Sequence, residues 1–131
     1  MTYLIIALTA IVSYLIGSVN FSILLSKMLS GKDIRESGSG NAGATNMLRT
    51  YGKKMGVITL LLDVLKGIVV ILLSRLVKNI AGTDEIYPVI SYIAGVCVIL
   101  GHNFPLYFGF KGGKGVATSL GVVLMLDWKV G

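Results

Sequence analysis

Residues 3–25 are a run of 23 positions without a charged side chain. A helix crossing the hydrocarbon of a bilayer needs roughly 20 apolar residues. Inside that hydrocarbon, every backbone N–H and C=O must find its partner within the protein. A run of this length is therefore read as a membrane-spanning helix before anything else in the chain is considered. It has no positive n-region and exceeds the apolar core of a secretory signal, so it reads as a retained helix. Gly17, Ser18 and Ser22 are small enough to let a second helix pack closely. Asn20 is polar inside the span and is expected to face protein.

Two further apolar runs, 55–73 and 86–110, are expected to span as well, and 116–126 reads as a shorter helix. At 1.5 Å per residue that last segment covers about 17 Å, roughly half the hydrocarbon thickness. Composition agrees: 54% of the chain is hydrophobic and 14% is charged, against about 25% charged in an ordinary soluble domain. The expected fold is an all-α, polytopic transmembrane bundle, a single membrane-embedded domain over 1–131. Asp127, Trp128 and Lys129 resemble the interfacial end of a helix. A half-length helix followed at once by the last residue suggests a sequence truncated at its C-terminal end.

The net charge of +6 is concentrated in short segments between apolar runs, which suits the cytoplasmic side of a membrane and not a nucleic-acid partner. Between the first two runs, Lys27, Lys32, Arg35, Arg49, Lys53 and Lys54 face Asp33 and Glu36, a net of +4. That connection is expected in the cytoplasm, with Met1 outside. Arg75 and Lys78 are balanced by Asp84 and Glu85, as an external connection requires. The third run then returns to the cytoplasm, and Pro105 is expected to end or kink it near Gly101. The single cysteine, Cys97, lies in an apolar run and has no internal disulfide partner.

Two glycine-rich stretches fall on the same predicted face. The first is Ser37-Gly38-Ser39-Gly40-Asn41-Ala42-Gly43-Ala44-Thr45-Asn46; the second is Lys111-Gly112-Gly113-Lys114-Gly115. Glycine lets backbone N–H groups turn sharply and approach a ligand. Several such groups in one concavity bind anions, more so where a helix begins, and a helix start is expected near Ala44. The bland alternative is a flexible polar linker. Gly38, Gly40 and Gly43 match the spacing of a dinucleotide fingerprint, but no strand precedes them and Asp63 lies inside an apolar run. The second stretch is not a nucleotide-binding P-loop: Phe108 stands where glycine is required, and Gly115 follows Lys114 where Ser or Thr should. No Cys/His/carboxylate spacing suggests a metal, and neither metal nor cofactor is expected.

Asp63 and Lys66, three apart on one helix face within the second run, read either as a charged wall of a polar site or as an internal ion pair that fixes packing. His102, the only histidine, reads either as a support for the turn before Pro105 or as a group in contact with substrate.

These residues resemble a known family. The first stretch, 37–46, looks like the first signature of the bacterial acyl-phosphate-dependent glycerol-3-phosphate acyltransferases. Gly101-His102-Asn103-Phe104-Pro105 with 110–118 resembles the second, and Leu62-Asp63-Val64-Leu65-Lys66-Gly67 resembles the family's second helix. The resemblance implies an inner-membrane enzyme of phospholipid synthesis with about seven helices and a site open to the cytoplasm. It would move a fatty acyl group from acyl phosphate to the 1-hydroxyl of glycerol 3-phosphate, giving lysophosphatidic acid and phosphate. The resemblance implies that neither acyl-CoA nor acyl carrier protein is used directly and that no metal or nucleotide is needed. Coupling to the enzyme that makes acyl phosphate is a further expectation. The family's third signature, with His, Asn, Arg and Glu, has no match here.

On this reading Ser39, Asn41, Arg49, Lys111 and His102 are the candidate catalytic residues. Ser37, Gly38, Gly40, Gly43, Thr45, Asn46, Gly112, Gly113 and Lys114 are the candidate binding residues, with Asp63 and Lys66 in support. Arg49 would clamp one phosphate and Lys111 neutralise another, while Lys114 is read as meeting substrate or only lipid headgroups. The attacking hydroxyl would lose its proton to a substrate phosphate, whose second pKa is about 6, or to a histidine beyond this sequence. The competing readings are a transporter or channel fragment with re-entrant loops, and a scaffold whose loops bind anionic lipid.

Overall fold

A computed structural model describes residues 1–82 and 84–126; Asp127, Trp128 and Lys129 lie outside the described residues. Every regular element in them is helical: α1 (Thr2–Ser18), α2 (Phe21–Ser30), α3 (Ala44–Tyr51), α4 (Lys53–Ala81), α5 (Tyr87–Asn103) and α6 (Val116–Leu126), with short 3-10 turns at Ile34–Glu36 and Leu106–Phe108. Three stretches, Thr2–Ser30, Lys53–Ala81 and Tyr87–Phe108, are long and apolar enough to cross a membrane.

The first run is not one helix. It breaks at Val19 and Asn20, both in extended conformation, and restarts as α2. Asn20 supplies the physical cause. Its side-chain oxygen caps α2 by accepting from the Ile23 N–H at 3.1 Å, and its amide donates to Ala42 O in the glycine-rich connection at 3.2 Å. Asn20 is fully buried, facing protein as expected. The second run is longer than expected: α4 continues through Arg75 and Lys78 to Gly82, which ends it in a left-handed conformation with its N–H on Lys78 O. The third runs on past Gly101 to Asn103, where Pro105 denies the next turn a donor. Helix α6 covers the expected 116–126.

Close helix approaches are made by glycine against backbone. In the α1–α5 contact, a Cβ on Gly17 would overlap Val98 O, and one on Gly101 would overlap Tyr14 O. In the α4–α6 contact, a Cβ on Gly67 would stand 2.5 Å from Thr118 O, and one on Gly121 would overlap Val64 O. Apolar attraction between helices is weak in lipid, so these close fits carry much of the association. Two small cores result. Val70, Ile71, Ala94, Val98 and Val122 pack among α4, α5 and α6. Ile23, Ile34, Ala42 and Met47 pack under the connection at the polar end, so the connection is a folded unit and not a loose linker.

Gly101→Ala should separate α1 from α5, at a cost of about 1–3 kcal/mol for overpacking. Thermal unfolding in detergent should show the loss, with Lys32→Ala in the exposed connection unchanged.

Candidate active site

The first glycine-rich stretch is held from within. Asn46 is buried, and its amide is directed at three carbonyls, Ile34 O (3.1 Å), Ser37 O (2.9 Å) and Asn41 O (3.0 Å). Its side-chain oxygen accepts from the Ser39 N–H at 3.1 Å. Asn46 is therefore occupied by the loop, with no donor left over for a phosphate or a carbonyl. Gly38 and Gly40 turn the chain over it at φ +54° and +78°, conformations that L side chains rarely adopt. The loop then delivers Gly43 as the residue before α3.

The second stretch folds back onto the end of α5. The Gly112 N–H donates to Asn103 O at 3.0 Å and the Gly113 N–H to His102 O at 3.2 Å. A Cβ on Gly112 would strike His102 O, and one on Gly113 would lie 2.5 Å from both Ala42 O and His102 Nε2. Glycine is required here for close approach: Gly113 touches both the first loop and the histidine.

A clasp from the first connection joins the two stretches. The Arg35 guanidinium donates to Phe108 O and to Lys111 O (3.0 Å), and it pairs with Asp33 at 2.6 Å. The hydrogen bonds from Arg35 hold the Asp33 carboxyl below its ordinary value. The contribution of this pair is thus present at neutral pH and is lost only as pH falls through the depressed carboxylate range.

Between the two stretches lies a cleft of about 270 Å³. The first stretch contributes Ser39, Asn41, Gly43, Ala44 and Thr45, with Arg49 from the next turn of α3. Asp63 and Leu60 come from α4 and His102 from α5. Lys114, Gly115, Val116 and Ala117 complete it from the second stretch and the start of α6. Two helices, α3 and α6, therefore begin at the cleft. The first N–H groups of a helix have no partner within it and carry partial positive charge, so two such ends converge with Arg49 and Lys114 in an arrangement that can attract an anion.

Several expected residues lie elsewhere. Ser37, Gly38, Gly40, Gly112 and Gly113 shape the loops without lining the cleft. Lys111 has an exposed side chain, and its role in the fold is to offer its carbonyl to Arg35. Lys114, the weaker of the two lysines on sequence grounds, borders the cleft. Sequence reasoning missed Asn20 as an anchor of the loop and the Asp33–Arg35 clasp. A short-range signal for the clasp existed in the acidic and basic residues two apart.

Beneath the cleft, Lys66 Nζ lies 3.1 Å from Gly17 O, 3.0 Å from Val19 O and 2.8 Å from His102 Nδ1, with Asp63 Oδ1 at 3.5 Å. An ammonium has three protons for those three acceptors. Nδ1 is then an acceptor, which assigns the ring proton to Nε2, the edge against Gly113. His102 is thereby held as an N–H donor at Nε2.

The family model described as glycerol-3-phosphate acyltransferase matches residues 7–131. The chain is 48% identical to the glycerol-3-phosphate acyltransferase of Clostridioides difficile over 96% of its own length and 59% of the relative's. It is 52% identical to that of Shouchella clausii over 90% of its own length and 55% of the relative's. Among solved structures, it superposes with a TM-score of 0.80 and 42% identity on PlsY (YgiH), an integral membrane glycerol 3-phosphate acyltransferase, in its glycerol 3-phosphate form. That match covers 95% of this chain and 59% of the other. The chain thus spans less than two thirds of the relatives it matches.

Asn46→Ala would strand the carbonyls it serves, at about 1–3 kcal/mol for a buried unpaired group. Backbone amides of residues 37–43 should then exchange with deuterium faster, as they would not if the stretch were already a free linker.

Proposed function

The chain belongs to the glycerol-3-phosphate acyltransferase family and is a multi-pass membrane protein, and from that premise we propose that the protein transfers a fatty acyl group from acyl phosphate to the 1-hydroxyl of glycerol 3-phosphate. The products are lysophosphatidic acid and inorganic phosphate. The observation that carries this reading is the cleft where the starts of α3 and α6 meet Arg49 and Lys114, at one end of helices that are otherwise apolar. Both substrates carry phosphate, and one also carries a lipid tail. A phosphate cradle at the membrane-embedded edge suits both.

The chemistry asks little of covalent catalysis, because an acyl phosphate is already activated. The glycerol hydroxyl oxygen attacks the acyl carbon while its proton passes to a substrate phosphate oxygen, and the carbon–oxygen bond to phosphate breaks with its electron pair leaving on phosphate. Alignment and fixed donors supply most of the acceleration. Ser39, Asn41 and Thr45 offer side-chain contacts, Arg49 clamps a phosphate in bidentate fashion, and Lys114 balances further charge. His102 donates from Nε2 to a carbonyl or phosphate oxygen. Lys111 acts through its backbone, by way of Arg35, more than through its ammonium.

We further propose a bacterial inner membrane as the location, with the cleft facing the cytoplasm and Met1 outside, on the support of the basic residues around it. The enzyme that makes acyl phosphate would then supply substrate on the same side. A Lys32→Cys thiol should label from the cytoplasmic side alone; labelling from outside would reverse the assignment.

The decisive assay uses the protein expressed from its complete reading frame, with acyl phosphate and glycerol 3-phosphate. Phosphate and lysophosphatidic acid should appear in equal amounts. Anion flux through vesicles without that chemistry would favour a transporter. Arg49→Ala should lower turnover by roughly 10²-fold or more. His102→Gln, whose amide N–H reaches the place of Nε2, should retain more activity than His102→Asn.

A further inference from the structure

Arg35 does not line the cleft, yet it joins the two stretches that do. Its guanidinium divides its donors. Nε and Nη2 take the Asp33 carboxylate, at 3.0 Å and 2.6 Å. Nη1 takes two carbonyls of the other stretch, Phe108 O and Lys111 O, the second at 3.0 Å. The carboxylate also accepts from the Arg35 backbone N–H at 2.9 Å, which fixes Asp33 and so aims the fork. Among the described residues, the two Nη1 bonds are the only hydrogen bonds between residues 31–46 and residues 104–115.

As a source of stability this is a weak device. The Arg35 and Asp33 side chains are 25% and 12% exposed, and exposed ion pairs contribute little. What the fork supplies is direction, which the second stretch needs. Helix α3 packs chiefly on α4, and α6 on α4 and α5, but Lys114 sits before α6 in chain that is not helical. One side of that chain is tied to the end of α5 by the Gly112 and Gly113 N–H groups. The side toward the first stretch is tied by Arg35, at Lys111. We propose that Arg35 is a positioning residue, which by holding the carbonyls of Phe108 and Lys111 sets where Lys114 stands at the cleft; this rests on the acyl-transfer reading above. Its chemistry suits the task. A guanidinium holds a carboxylate and two carbonyls in one plane, and an ammonium is a single point of charge.

The rival role for Arg35 is to tie down the surface of the fold and nothing more. A double-mutant cycle between Arg35→Ala and Lys114→Ala separates the two, in the protein expressed from its complete reading frame. Arg35→Ala should raise KM for one of the two phosphate substrates roughly tenfold to a hundredfold, the scale of a misplaced binding group. Turnover at saturation should stay within about threefold of wild type, and the unfolding temperature in detergent near it. Lys114→Ala should raise KM for the same substrate. In the Lys114→Ala background, Arg35→Ala should add less than about threefold, because its effect passes through a side chain already removed. Multiplying effects on KM overturn the proposal, as do an unchanged KM in Arg35→Ala and a rise for the other substrate. So does a loss of activity that tracks a lowered unfolding temperature. If Arg35→Ala fails to fold, Arg35→Lys decides. It keeps the charge beside Asp33 without the fork, and it should share the raised KM; a wild-type KM there overturns the proposal. Absence of acyl transfer in the wild-type protein would overturn the proposed function itself, whereas an active wild type with an unaffected Arg35→Ala would overturn the positioning role alone.

Discussion

One ammonium group holds the polar end of this molecule together. A helix broken inside a membrane exposes carbonyls that no water can serve, and such a break persists only where protein supplies the donors. At the end of α1 those carbonyls are Gly17 O and Val19 O, and the donor is Lys66 from the middle of α4. Its third bond, to His102 on α5, makes the same nitrogen a junction of three helices. The ion pair with Asp63 lowers the cost of burying that charge, and removing one partner alone would leave the other uncompensated. The break in turn frees Asn20 to cap α2 and to hold Ala42, which seats the first glycine-rich stretch. The chain of dependence runs from one buried lysine to the geometry of the cleft.

That dependence explains what could be read from the sequence. Apolar run lengths are direct evidence of helices, so the bundle, the helix start near Ala44 and the last helix at 116–126 were legible. The break at Val19 and Asn20 was not, because a Gly17-Ser18 pair and one asparagine are tolerated within a membrane helix, and only the partners of Asn20 in the connection turn it into a cap. The end of α4 was set too early because Arg75 and Lys78 look like a connection. On the structure they remain helical and find partners at the helix end: Arg75 donates to Met125 O and to the Tyr87 hydroxyl, and Lys78 pairs with Asp84. Long basic side chains can reach past a span's edge while their stems stay along it.

The site was legible as two stretches but not as contacts. Composition marks a phosphate loop, yet it does not separate residues that hold the loop from residues that face a ligand. Asn46 belongs to the first kind because its amide is surrounded by carbonyls from 34, 37 and 41. Lys111 and Lys114 have the same chemistry and lie three apart, and only the path of the backbone tells them apart. Arg35 draws the carbonyl of Lys111 toward itself, while the turn through Gly115, at φ +76°, leads from Lys114 into α6 at the edge of the cleft. That choice depends on long-range contacts between residues some 76 positions apart, which no local pattern carries.

The arrangement of charge gives the proposed chemistry its direction. Positive charge is exposed at the rim, in Arg49 and Lys114, where it can follow a phosphate in and out. The other donors are backbone N–H groups at two helix starts, fixed by the fold and needing no rearrangement when charge develops. The buried charges beneath them, Asp63 and Lys66, offset one another, so the floor is close to neutral. A substrate that carries phosphate at one end and hydroxyls at the other is sorted by such a gradient before any bond is made. Phosphates settle where cations and helix starts lie, and the hydroxyls are left toward the near-neutral floor.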